Sequence, residues 1–82
     1  MQTICLNGSD YRDARELHAA LRRMLKLPDY YGMNADALND CLSERTEPVR
    51  LWIAGYGEGE TADALRRIVR VVGDNGGTVR EL

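Results

Sequence analysis

Asp36 and Asp40 stand four residues apart, the spacing that brings two side chains to one face of a helix. Paired carboxylates can serve as general acid and general base, but only where their environments hold them in different protonation states. Here Asn39 and Ser43 share the same side, opposite the apolar Leu38, Cys41 and Leu42, so both aspartates are expected in water. The one histidine, His18, has Ala14, Arg15 and Arg22 as helical neighbours, with neither an acid nor a nucleophile one turn away. It reads as a surface or half-buried helix residue. A single histidine with Cys5 and Cys41 far apart does not make a zinc ligand set. Gly55, Gly57 and Gly59 stand among Glu58 and Glu60, which repel a phosphate, and no nucleophile-elbow, zincin, P-loop or dinucleotide fingerprint occurs. The expectation is a protein that is not an enzyme, with no cofactor and no metal.

Binding suits the same residues better. Between Leu27 and Glu44 lie four carboxylates, Asp29, Asp36, Asp40 and Glu44, and no base. Arg12, Arg15, Arg22, Arg23 and Lys26 come before this stretch, and Arg66, Arg67 and Arg70 come later. The net charge of −2 therefore hides a segregated molecule. An acidic patch repels nucleic acid and attracts a basic partner. Tyr30 and Tyr31, half of the chain's four tyrosines, precede the acidic helix. Exposed tyrosines beside an unpartnered acidic face have the composition of an interface hot spot.

The elements that must hold this face follow from periodicity and caps. With 82 residues the chain fits one domain, residues 1–82, whose small core leaves little room for a deep cavity. Residues 2–6 predict a strand closed by Asn7-Gly8. Asp13 to Glu16 has capping-box spacing and opens a helix with Leu17, Ala20, Leu21, Met24 and Leu25 in one stripe, stopped by Pro28. After the linker 27–33, Asn34 caps a second helix from about Ala35 to Glu44, with Ala35, Leu38, Cys41 and Leu42 inward. A strand from Val49 to Ala54 and a loop from Gly55 to Glu60 follow. A third helix opens at Glu60 or Thr61, buries Leu65, Ile68, Val69 and Val72, and ends before Gly73. Asn75-Gly76-Gly77 turns the chain into a last strand, Thr78 to Leu82. Strands separated by helices imply a parallel sheet, so the fold class is α/β, three parallel strands with three helices. Cys5 in its apolar strand and Cys41 on its helix are expected as buried, reduced thiols. The absence of an 18-residue apolar run predicts no membrane association, and the start Met1 to Leu6 does not look like a signal peptide, which points to the cytoplasm.

The segment Leu27-Pro28-Asp29-Tyr30-Tyr31-Gly32-Met33-Asn34-Ala35-Asp36-Ala37-Leu38-Asn39-Asp40-Cys41-Leu42 resembles the signature of the barstar family of ribonuclease inhibitors. The likeness extends upstream through Leu17-His18 and Leu6-Asn7-Gly8, and weakens beyond Val49. It implies a small barstar-like domain, monomeric when free, whose second helix and preceding loop enter the active site of a basic, extracellular-type ribonuclease, barnase-like or a related toxin. On this likeness Asp40 lies where a substrate phosphate would bind. Asp36 makes a second acidic contact, Tyr30 packs on the enzyme, and Ser43 stands where the family has threonine. Tyr31, Gly32, Asn34, Asn39 and Glu44 complete the partner-binding set. A cell that secretes such a toxin keeps its inhibitor, an immunity protein, in the cytosol.

The chain departs from the family pattern in four places. Asn39 replaces a tryptophan and Glu44 a glycine. The acidic contact of the last helix is missing, because the matching region reads Arg70-Val71-Val72. The loop Gly55–Glu60 is too short for the extra helix that the family has there, and Glu58 or Glu60 is the candidate to replace the missing charge. A target surface different from barnase is expected. A second reading is a regulatory barstar-like domain bound to some other basic protein. A third is a nucleic-acid binder using Arg66, Arg67 and Arg70, provided that their side is continuous with Arg22, Arg23 or Lys26.

Overall fold

Every second residue of the first strand, β1 (Gln2–Asn7), turns inward: Ile4 and Leu6 are buried, while Thr3 and Cys5 are exposed. The computed structural model, which describes all 82 residues, repeats this alternation in β2 (Val49–Gly55). There Val49, Leu51 and Ile53 are buried, whereas Arg50 and Ala54 are exposed and Trp52 is half-buried. The last strand, β3 (Thr78–Glu81), adds only Val79 to the inward side. The strands lie in the order β1-β2-β3 and both pairs are parallel. Ile4, Leu51 and Val79 are aligned across the sheet, as are Cys5, Trp52 and Arg80.

Three helices bring their apolar stripes to the inward face. The first, α1 (Ala14–Leu25), buries Leu17, Ala20, Leu21 and Leu25 together with His18. The second, α2 (Ala35–Ser43), buries Leu38 and Leu42. The third, α3 (Gly59–Asp74), buries Ala62, Ala64, Leu65, Ile68 and Val72. A single core results, in which Tyr31 from the linker joins these residues and the strand aliphatics. The α/β class with three parallel strands and three helices is thus as expected, and no helix is long and apolar enough to cross a membrane.

Several local expectations change. Cys5 is exposed rather than buried, because its position in the alternation places it on the outer face of the sheet, and Cys41 is partly buried. Both thiols are free. Asp13 does cap α1 by accepting from the Glu16 amide, but the Glu16 carboxylate reaches one residue further back, to the amide of Arg12. The stop of α1 comes before Pro28: Lys26 takes the left-handed conformation at φ 54°, and the Leu27 amide donates back to the Arg22 carbonyl at 2.9 Å. The third helix begins earlier than expected, with Glu58 at the N-cap, and runs through Gly73 to Asp74. Three residues, Tyr56 to Glu58, join β2 to α3, so the chain has no additional helix at this point.

At Gly8 a close backbone approach requires glycine. A Cβ at Gly8 would stand 2.0 Å from the Tyr56 carbonyl oxygen. The segments that leave β1 and β2 therefore touch backbone to backbone, and only glycine fits between them.

Candidate functional site

The site is built on α2, a nine-residue helix whose start is fixed by its own sequence. Asn34 accepts from the Ala37 amide at 2.8 Å through Oδ1 and donates to the Gly32 carbonyl at 3.2 Å through Nδ2. Met33, at φ 56°, makes the sharp entry. Leu38 and Leu42 anchor the helix in the core. Asp36, Asp40, Ser43 and Glu44 are left exposed on the opposite side, with Asp36, Asp40 and Glu44 at successive turns.

None of these three carboxylates forms an ion pair. Two neighbouring bases, Arg22 and Arg45, are occupied elsewhere. Arg22 pairs with Asp29 at 2.8 Å, which takes Asp29 out of the free acidic set. Arg45, directly after Glu44, turns back into the fold, where Nη1 donates to the Leu25 carbonyl at 3.1 Å and Nη2 to Oε1 of Gln2 at 2.8 Å. Gln2 in turn donates to the Met24 carbonyl. The two side chains thus satisfy the carbonyls at the C-terminal end of α1, where cationic groups are favoured. Nothing in the sequence signalled this strap, because its three parts come from separate elements 20 to 43 residues apart.

The two tyrosines part company. Tyr30 is 87 % exposed, but Tyr31 is only 5 % exposed and belongs to the core, contrary to the expectation that both face solvent. Its hydroxyl lies 2.6 Å from Nδ1 of His18, itself 3 % exposed, and 3.4 Å from the Asn34 carbonyl oxygen. His18 is therefore a core residue rather than a surface one. Burial lowers its pKa and raises that of Tyr31, so both are neutral near pH 7. The pair fastens the loop before α2 to α1 and leaves Tyr30 as the exposed aromatic.

Other members of the expected set are used by the fold as well. Asn39 accepts a hydrogen bond from Nδ2 of Asn75 at 2.9 Å, which ties α2 to the end of α3. The Ser43 hydroxyl donates to the Asp40 carbonyl at 2.8 Å. Glu60 accepts from the Ala14 amide at 3.1 Å and so helps to hold the start of α1. Tyr30, Asp40 and Glu44 line one open groove of about 570 Å³ together with Lys26, Pro28 and Arg45. Cys41 lies in the wall of this groove, and its thiol pKa is raised by burial and by the nearby Glu44 and Asp40. No cluster of three or more His, Cys, Asp or Glu side chains gathers to hold a metal ion.

The structure thus presents a small α/β domain with an acidic ridge free of ion pairs and an exposed tyrosine beside it. Residues 1–80 match the family model Barstar (barnase inhibitor), and the chain belongs to the barstar family. It is also 46 % identical over 43 residues to a Bacillus subtilis (strain 168) protein named "Putative ribonuclease inhibitor YrdF". That match covers 52 % of this chain and 47 % of the relative, so about half of the relative's length is spanned.

Proposed function

We propose that this chain, as a single domain over residues 1–82, inhibits a basic ribonuclease by inserting α2 and the tyrosine loop into the enzyme's active site. The observation that carries the reading is the ridge of Asp36, Asp40 and Glu44, exposed on a rigid helix and free of ion pairs. A ribonuclease must display cationic groups to bind a phosphodiester, and a carboxylate held on a helix imitates that ligand. Asp40 is the phosphate mimic, Asp36 and Glu44 extend the contact by a turn to either side, and Tyr30 packs beside them. Glu44 at the C-cap supports a binding role, because a carboxylate there opposes the helix dipole and lowers stability. Tyr31, Asn34, Asn39 and Ser43 act by holding the surface in shape, and Gly32 keeps the loop close to α2, where a Cβ would stand 3.2 Å from that of Ala37.

The protein does no chemistry of its own in this reading. It is monomeric when free and works in the cytoplasm as an immunity protein against a secreted toxin. The test is titration of a ribonuclease from the producing cell with the chain and its variants. Asp40→Ala should weaken inhibition at least about thirtyfold, since stripping the partner from buried cationic groups costs about 2–5 kcal/mol. Asp40→Asn should lose nearly as much, because it keeps the shape and removes the charge. Asp63→Ala on α3, where Asp63 pairs only with Arg66 at the surface, should stay within about 0.5 kcal/mol. If Asp63→Ala abolishes inhibition while Asp40→Ala leaves it intact, the plug lies on another face.

A further inference from the structure

The sheet carries a second surface that the α2 ridge does not use. The inward strand residues all meet the helices, and the other face of the sheet is uncovered. Parallel sheets are ordinarily covered on both faces, so an open one calls for an explanation. On this face Arg50 lies in register between Thr3 and Thr78, and Trp52 lies in register between Cys5 and Arg80. None of the six is acidic. The carboxylates closest along the strands are engaged elsewhere: Glu47 pairs with the amino group of Met1, and Glu81 accepts from the Tyr56 hydroxyl at 2.7 Å. Arg50 and Arg80 are exposed and form no ion pair. Two guanidinium groups free of ion pairs therefore flank the chain's one tryptophan among in-register neighbours that include no acid.

We propose that this open face binds single-stranded nucleic acid, with a base stacked on Trp52 and backbone phosphates on Arg50 and Arg80. Adjacent strands about 4.8 Å apart and a two-residue step of about 6.6 Å put the Cα atoms of the two arginines about 8 Å apart. They thus lie on neighbouring strands, one beside Trp52 in register and the other one step along its own strand. An indole offers a stacking surface to any base, and arginine adds both charge and a planar group. A duplex presents no free base face to the indole, and an acidic peptide would use the arginines without needing it. Thr3 and Thr78 add hydroxyl groups beside Arg50 that can donate to phosphate or ribose oxygens. The acidic ridge lies in the helical layer, which meets the opposite face of the sheet, so the two surfaces can be occupied independently.

The experiment uses the intact chain and an oligouridylate of about ten nucleotides, within the usual site size of a single-strand platform. Trp52 reports stacking directly, since no other tryptophan is present. Saturable quenching is expected with a dissociation constant between about 10⁻⁶ and 10⁻⁴ M. The slope of log K against log salt should be about −1.4 for two phosphate contacts on a single strand, and Arg50→Ala or Arg80→Ala should each reduce it by about 0.7. With a labelled oligonucleotide read by anisotropy, Trp52→Ala should weaken binding about 5- to 140-fold, and Trp52→Phe should restore part of the loss. Asp40→Ala should change none of this. Equal quenching by oligoglutamate would identify an acidic-protein surface, and equal binding of duplex would leave stacking without a role; either overturns the proposal. Absence of quenching at roughly millimolar oligonucleotide in low salt would do the same.

Discussion

The hydroxyl of Tyr31 and Nδ1 of His18 meet at 2.6 Å inside the core, and this contact joins the loop before α2 to α1. It divides the work of two adjacent tyrosines. Tyr31→Phe removes the hydroxyl and leaves a buried ring nitrogen without its partner, so stability should fall by about 1–3 kcal/mol in denaturant melts. Tyr30→Ala should leave stability within about 0.5 kcal/mol yet weaken ribonuclease binding about thirtyfold, as expected of an interface anchor. A reversed pattern, with Tyr30 stabilising and Tyr31 binding, would contradict the observed burial.

The same contact makes stability depend on pH in a defined direction. Burial holds the His18 pKa below its ordinary value near 6.5, so the unfolded chain takes up this proton before the folded one. The contribution is complete above about pH 6.5 and is lost as pH falls from there through the folded value. Urea melts should show declining stability across that interval, and His18→Gln should flatten the decline. An unchanged profile in the variant would assign the effect to other groups.

Packing predicts two large losses of different origin. Leu21 is 1 % exposed in the middle of the α1 stripe, and Leu21→Ala should cost about 2–5 kcal/mol by leaving a cavity. Gly8→Ala inserts one methyl group against the Tyr56 carbonyl and should cost about 3 kcal/mol or more, because backbone rather than a side chain must move. Calorimetry on both variants measures this. A Gly8→Ala protein as stable as the parent would show that the two strand exits separate freely.

Association with a basic ribonuclease should be steered by the unpaired ridge. Between roughly 10 and 500 mM salt the Debye length shrinks from about 30 to about 4 Å, and the stopped-flow association rate should fall clearly over that range. Dissociation should change far less. A flat association rate would place Asp36, Asp40 and Glu44 outside the contact.

Much of this molecule follows from short-range rules. Asp13 and Asn34 cap their helices as their spacing predicts, since a side-chain oxygen three residues before a free amide needs no tertiary help. The alternation in residues 2–6 and 49–54 marks the strands, and the leucine stripes mark the helices. The exposure of Asp36, Asp40 and Glu44 was legible for the same reason, because Leu38 and Leu42 fix which side of α2 is buried. Helix ends were less so: α3 runs through Gly73, which has open space around it and no strained backbone to force a stop.

What tertiary structure alone decided are the choices between chemically similar neighbours. Tyr30 and Tyr31 are identical in sequence terms, and only the arrival of His18 from α1 selects the second for the core. Cys5 sits in an apolar strand, yet its exposure depends on whether anything covers the outer face of the sheet. Arg45 could have neutralised the acidic ridge beside it, but the unpaired carbonyl of Leu25 and the Gln2 amide draw it inward. Local sequence sets the helices, the strands and the acidic ridge, because caps and periodicity act within a few residues. Partners 13 to 43 residues away set which of those side chains remain free to meet another molecule, because a buried polar group must find its hydrogen bond wherever the fold places one.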